Sequence, residues 1–399
     1  MAGRKDSAFA EAMRGLLAQA HTCDPGRLPD LVSRAAAAMG AVSAGVYLAD
    51  LQQRDLVPLP GSRGVGGEPA GPVAIEGSLA GRAYRTMTVQ TSDEGGPGLW
   101  LPILNGSARV GVLRVGLRTA EAEAIEDCRA LASVTGLLVG SQAAFSDELA
   151  RVTRSKPMQV AAEMVWAFLP PTTIGNDLVT STALLEPAYQ LAGDAFDHTL
   201  TEDRLRVTVV DAMGHDLASG LSSAVALAGG RASRRAGGAL ADLVTGIDEE
   251  LNRWAPGRML TGVFADLDLS DGTLQWVNCG HLPPLLIREG SAVDGALERE
   301  PVLPLGLGAR FPRERPVHRA SLQPGDRVVF YTDGITEARS TDGEMFGEER
   351  LIDFVVKATA AGEPSPEATR RLLHAILEHH DNQLGDDAVV MVVEWHPGS

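Results

Sequence analysis

Residues 326–339 read DRVVFYTDGITEAR, an alternating apolar run that ends in an aspartate followed at once by a glycine. The stretch from Asp326 to Thr332 has the β-branched and aromatic content of a strand, and Gly334 marks a sharp turn after it. A carboxylate at such an edge can cap a turn, or it can be a metal ligand aimed into a cleft. One aspartate does not decide between the two, so the decision rests on whether the rest of the chain supplies partners for Asp333.

Around this stretch lie several more runs of the same kind: LVTSTALLEP (178–187), LRVTVVDAMG (205–214), LTGVFADLDL (260–269), TLQWVNCG (273–280) and DAVVMVVEW (387–395). Helical spacing is present near 217–235, 238–253 and 366–380, and Asp271-Gly272 signals a hairpin. Strands with helices inserted between them, but not in regular βαβ alternation, predict sheets covered by helices in an α+β fold. Four aspartates of this region sit at strand edges beside small or turn-forming residues: Asp194 in LAGDAFDH, Asp211 in VVDAMGHD, Asp333, and Asp386 in LGDDAVVMVV. Any one alone reads as a turn cap. Gathered together they would repel and resist ionising without compensating charge. Two divalent cations such as Mn²⁺ or Mg²⁺, which prefer oxygen donors, would supply that charge. A pair of such ions can bridge and activate a water for in-line attack on phosphorus, with no Ser or Cys nucleophile.

The first part of the chain has a different character. Residues 8–20 and 27–39 place apolar side chains at helical spacing, AGVYLAD reads as a strand, and GSRGVGGEPAGP reads as a loop. GPVAI predicts a further strand, GSLAGRAYRT a short helix, and LWLPILNGSARVGVLRVGL two strands around Asn105-Gly106. A helical stretch then runs from about Thr119 to Arg154, carrying Leu138, Phe145, Leu149 and Val152 as a short heptad-like seam. That seam either packs back on its own domain or pairs two chains. Pro157 interrupts the helix and PMQVAAEMVWAFLPP predicts another before Pro170-Pro171. The resulting division is a first domain over residues 1–140, a helical connector over 141–172 and a second domain over 173–399.

Charge and cysteine usage narrow the class. Of 399 residues with net charge −17, the first 150 carry 13 basic and 16 acidic side chains (net −3), so the remaining 249 carry 22 and 36 (net −14). Such a surface repels nucleic acid and anionic membrane, so neither is an expected partner. Cys23, Cys128 and Cys279 form no CxxC pair, which fits a reduced compartment without a zinc ribbon or disulfide framework. With no signal-like start and no run long enough to span a bilayer, the expected location is the cytoplasm.

The ordered series PAYQLAGDAFD, VVDAMGHDLASGLSSAVA, NCGHLPPLL, PLGL, LQPGDRVVFYTDGITEARSTDGEMFGEERL and GDDAVVMVV resembles the PPM class of metal-dependent protein serine/threonine phosphatases, in its bacterial SpoIIE/RsbU subgroup. The resemblance runs over about residues 158–396. It implies a β-sandwich flanked by helices with a dinuclear Mn²⁺/Mg²⁺ site and catalysis by a metal-bridged hydroxide. On the matching positions, Asp211 would bridge both metals with the carbonyl of Ala212 beside it, Asp194 would act on the same metal, and Asp333 and Asp386 would hold the second. Asp387 would orient these ligands. Asp197 is expected to make a structural hydrogen bond and His281 to be structural; His215 is expected to cap or pack, the alternative being proton donation to the leaving serine. Two departures from the pattern, Ala192 and Asp216 in place of glycines, remove no ligand; Asp216 is suited to cap the following helix. The implied substrate is a phosphorylated anti-sigma-factor antagonist of the STAS type, in partner-switching signalling. The alternatives are a module that binds phosphoprotein without cleaving it, or hydrolysis of small phosphoesters.

The first domain resembles GAF sensor domains through EGSLAGRAYRT and the hairpin after it. That resemblance leaves two roles open, a small-molecule ligand or dimerisation alone. A homodimer, with the connector setting the geometry of the catalytic domain, is the expected assembly.

Overall fold

The computed structural model describes residues 2–63, 69–93, 97–190, 193–214, 216–300, 302–308, 311, 314–379 and 384–398. It divides into two units, residues 1–156 and 157–399.

In the first unit, α1 (Ala2–Ala20) and α2 (Leu28–Ala38) precede β1 (Ser43–Ala49), β2 (Asp55–Pro58), β3 (Val73–Ala74), α3 (Leu79–Thr86), β4 (Gln90–Ser92), β5 (Gly98–Asn105), β6 (Ala108–Gly116), α4 (Ala122–Ala143) and α5 (Asp147–Thr153). The strands form one antiparallel sheet in the order β3-β2-β1-β6-β5-β4. Successive side chains on a strand face opposite ways. Val46 and Leu48 therefore join Leu99, Leu101, Leu113 and Val115 in a core under α2 and α4, while Tyr47 and Val112 pack with Tyr84 and Ile75 on the other face. The helix expected from about Thr119 to Arg154 is two helices, α4 and α5. Ser146 has extended backbone angles and its hydroxyl accepts from the amide of Glu148, so it starts a new helix rather than continuing the old one. Leu149 is buried, Leu138 and Val152 pack on this unit's own core, and Phe145 is 69% exposed.

The second unit runs α6 (Val160–Phe168), β7 (Thr173–Gly175), β8 (Val179–Glu186), β9 (Ala195–Leu200), β10 (Arg204–Ala212), α7 (Leu217–Arg235), α8 (Leu240–Trp254), β11 (Leu260–Asp268), β12 (Thr273–Cys279), β13 (Leu285–Arg288), β14 (Ser291–Ala292), β15 (His318–Ser321), β16 (Arg327–Tyr331), α9 (Asp333–Thr336), α10 (Gly347–Ala360), α11 (Ser365–His379) and β17 (Ala388–Trp395). Two antiparallel sheets result, β15-β12-β11-β10-β9 and β14-β13-β16-β17-β8-β7. Alternation sorts their side chains into layers. Val389, Met391 and Val393 of β17, with Val328 and Phe330 of β16, meet Phe196, Val209 and Phe264 of the other sheet in one core. Val390, Val392, Val329 and Tyr331 face the other way, onto Leu351 and Val355 of α10 and Leu372 and Ile376 of α11. Helices α7 and α8 cover the five-stranded sheet through Leu227, Leu243, Ile247 and Leu251. The unit is a β-sandwich between helix layers, an α+β fold. The α10 helix is an addition to the helices expected above; charged residues crowd its first turn, and Leu351, Val355 and Ala358 form its buried face. No helix among the described residues is long and apolar enough to cross a membrane.

Candidate metal centre

Each acidic position falls at a strand end, and antiparallel pairing brings those ends to one edge of the sandwich. Asp211 and Ala212 close β10, and Asp194 immediately precedes β9, which pairs with β10 up to Ala195 opposite Val210. In the second sheet Asp333 follows β16 and Asp386 and Asp387 precede β17, with Tyr331 opposite Val390. The β16–β17 ladder is extended by Thr332, whose amide donates to the Val389 carbonyl at 3.1 Å while its hydroxyl accepts from the Val389 amide at 2.9 Å. Asp387 ties the sheets together: its Oδ2 accepts from the Gly193 amide at 2.6 Å and from the Asp194 amide at 3.4 Å. Two glycines permit the approach. A Cβ on Gly193 would lie 2.7 Å from the Ala212 carbonyl oxygen, and one on Gly334 would lie 1.9 Å from the Asp387 carbonyl oxygen.

The electrostatics are those of crowded carboxylates. Asp194 is 3% exposed, and its Oδ2 has no hydrogen-bond partner. Burial pushes its carboxyl well above the usual range, and the charges of Asp211, Asp387 and Asp333 push further, opposed by a hydrogen bond with Thr332. Asp211 is raised to about 6, first by burial and then by Asp333 and Asp386, with hydrogen bonds to Asp194 and Thr261 acting against the rise. Asp333 is raised by burial, Asp386 and Glu337. Among the described residues no three His, Cys, Asp or Glu side chains are gathered round a single point. The residues nevertheless fit a hard divalent cation. The donor set is all oxygen, and the orphaned buried Oδ2 of Asp194 is an acceptor with no proton to receive.

The other sequence expectations fall as follows. Asp197 is buried and ion-paired with Arg231 at 2.7 Å and Arg234 at 2.8 Å, a structural role linking β9 to α7. Asp216 caps α7, its Oδ1 accepting from the Ser219 amide at 2.8 Å and hydroxyl at 2.9 Å. His215 and Ala192 lie outside the described residues. The sequence reading missed Thr332, Thr261 and Ser223, the last donating its hydroxyl to the Gly193 carbonyl. Hydroxyl residues in strands and helices carry no local signal for such contacts; only Thr332, preceding Asp333 in the quoted stretch, was within reach of motif reasoning.

The profile of the family described as Stage II sporulation protein E (SpoIIE) matches residues 201–396, a span that contains Asp211, Asp333 and Asp386 but not Asp194. The chain is 26% identical over 132 residues to Protein IcfG of Synechocystis sp., covering 33% of this chain and 20% of that protein. It is 19% identical over 239 residues to Phosphoserine phosphatase RsbU of Bacillus subtilis, covering 59% of this chain and 69% of that one. The chain therefore spans about a fifth of the length of the first relative and about two thirds of the second. Among solved structures, the RsbU and RsbW domains of Rv1364c from Mycobacterium tuberculosis align with a TM-score of 0.48 and 22% identity, over 57% of this chain and 63% of that one. What these comparisons share is the C-terminal unit, where residues 201–396 match the profile of the SpoIIE family.

Proposed function

We propose that the C-terminal unit is a metal-dependent protein serine/threonine phosphatase whose substrate is a phosphorylated STAS-type anti-sigma-factor antagonist in partner-switching signalling. The observation that carries this reading is the convergence, from two sheets, of Asp194, Asp211, Asp333 and Asp386 on one edge, where neighbouring carboxylates push the carboxyls of Asp194, Asp211 and Asp333 upward. The match of residues 201–396 to the SpoIIE family profile supports it, as does similarity to a protein named a phosphoserine phosphatase. In this reading Asp211 and the Ala212 carbonyl hold the first Mn²⁺ or Mg²⁺ with Asp194, and Asp333 and Asp386 hold the second. Bound there, the two ions lower the pKa of the attacking water and offset charge on the phosphoryl oxygens.

The chain's own residues do the rest. Asp387 fixes the Gly193–Asp194 backbone through two amides, so Asp194 cannot swing out to water. Thr332 holds the β16–β17 ends in register beneath Asp333 and Asp386. The N-terminal unit acts as a GAF-type sensor, with a small molecule or dimerisation as its signal, and the protein works in the cytoplasm as a homodimer. Hydrolysis of p-nitrophenyl phosphate and of phosphorylated STAS proteins should require Mn²⁺ or Mg²⁺ and vanish with EDTA. Turnover that survives thorough chelation rejects the reading, and tight binding of phospho-STAS protein without cleavage replaces it with a non-catalytic module.

A further inference from the structure

His281 lies outside the carboxylate set, in the turn after β12, and is 8% exposed. Its backbone is locked: the His281 amide donates to Asn278 Oδ1 at 2.8 Å, and Asn278 Nδ2 donates to the His281 carbonyl at 2.9 Å. The ring then reaches both sheets. Nε2 lies 3.1 Å from the carbonyl oxygen of Tyr331 on β16, and Nδ1 lies 3.0 Å from the hydroxyl of Thr261 on β11. Both contacts sit next to the proposed ligands. Tyr331 is two residues before Asp333, and Thr261 is the cross-strand partner of Asp211, with its hydroxyl 3.5 Å from Asp211 Oδ2.

The tautomer follows from the partners. A carbonyl only accepts, so Nε2 carries the proton and donates to Tyr331. Burial pushes the imidazole down to about 4, so at neutral pH the ring is uncharged and Nδ1 is an acceptor. Thr261 has one hydroxyl proton, and the shorter of its two contacts is to Nδ1. The Thr261 hydroxyl thus sits between the ring at 3.0 Å and Asp211 Oδ2 at 3.5 Å, and the histidine fixes the position of the group beside that carboxylate.

We propose that His281 is a positioning residue, a cross-sheet staple that sets the spacing between Asp211 and Asp333 and, through Thr261, fixes the orientation of the Asp211 carboxylate toward a divalent cation. The inference rests on the phosphatase reading of the same site. A histidine buried only for packing would affect stability; a staple of this kind affects cation affinity.

The test is Mn²⁺ binding by isothermal titration calorimetry on the full-length protein, with thermal unfolding in EDTA measured alongside. His281→Ala and the isosteric Thr261→Val should each weaken Mn²⁺ binding by about tenfold or more, in the range found when groups that orient metal ligands are removed. Thr261→Ser, which keeps the hydroxyl, should restore near wild-type affinity. If His281→Ala fails to fold, Thr261→Val and Thr261→Ser decide the matter. Wild-type affinity in folded Thr261→Val or His281→Ala, whatever the melting temperature, overturns the staple alone. A wild-type protein that binds neither Mn²⁺ nor Mg²⁺ overturns the phosphatase reading, and the staple with it.

Discussion

The two units use the same material, antiparallel strands and helices, and treat charge in opposite ways. Among the described residues the first unit buries two charged side chains, Asp50 and Arg114. The second buries a much longer series, including Asp194, Asp197, Arg206, Asp248, Asp266, Asp326, Arg327, Glu367, Arg370 and Asp387. A single sheet with side chains packed against both faces has no edge where loops from a second sheet can meet it. Two stacked sheets have such an edge. Most of the second unit's buried charges are paired across elements, as in Arg206–Asp266 and Arg288–Asp326. At the edge between the sheets the carboxylates face one another, and among the described residues the charges acting most on Asp194, Asp211 and Asp333 are all carboxylates. The lesson is that a protein holding like charges together at one place does so on a scaffold whose other buried charges are matched.

The sharpest way to break this comparison is to neutralise the unmatched edge. Asp211→Asn or Asp333→Asn should take turnover to background, since each removes a proposed ligand. The same Asp211→Asn should make the protein more stable in EDTA. The Asp211 carboxyl is raised to about 6 from its ordinary 3.8, so its charged form destabilises the fold above that pH and not below the unfolded value. The gain at pH 7 should be at most about 3 kcal/mol. A loss of stability would contradict the account of an uncompensated charge. Arg206→Ala is the converse, because it removes the buried partner of Asp266 and leaves that carboxylate only the more exposed Arg204 at 3.3 Å. Loss of one partner of a buried pair costs about 3 to 5 kcal/mol. Hydrogen exchange, which resolves the two units, should show the second unit opening more readily, and protection there that does not change would remove the distinction between matched and unmatched charge.

A smaller effect comes from His198, which is buried between the Ser181 hydroxyl at 2.9 Å and the Pro171 carbonyl at 2.7 Å. Burial lowers it to about 4 from 6.5, so the unfolded chain takes up a proton on acidification that the native state refuses. Stability is full above 6.5 and declines as pH falls toward 4. The stability gap between wild type and His198→Gln should therefore narrow by about 2 kcal/mol between pH 7 and pH 5; a gap that ignores pH would mean the native imidazole protonates normally. Smallest of all is Phe145→Asp. With Phe145 69% exposed, monomer stability should shift by no more than about 0.5 kcal/mol. Sedimentation at micromolar concentration should nonetheless show the proposed dimer dissociating. A wild-type chain that is monomeric and fully active on its phosphoprotein ends the dimer proposal and leaves the chemistry untouched.

What the sequence determined by itself was local. Period-two runs such as VVFY and AVVMVVEW placed the strands, Asn105-Gly106 and Asp271-Gly272 placed the hairpins, and each aspartate was legible as the end of a strand. Ser146 was also there to be read as a cap, but its effect on the helix depended on Leu149 being buried in the first unit's core. Only the tertiary structure decided which strand ends meet. Asp211 and Asp333 belong to different sheets, and no local pattern in the residues between them shows which sheets stack; the pair is brought together by burying Val209, Phe264, Phe330 and Met391 in one core. The same holds for His281. Its chain neighbours gave it a turn, but its partners Thr261 and Tyr331 come from separate sheets, and hydrogen bonds between sheets leave no periodicity in the sequence.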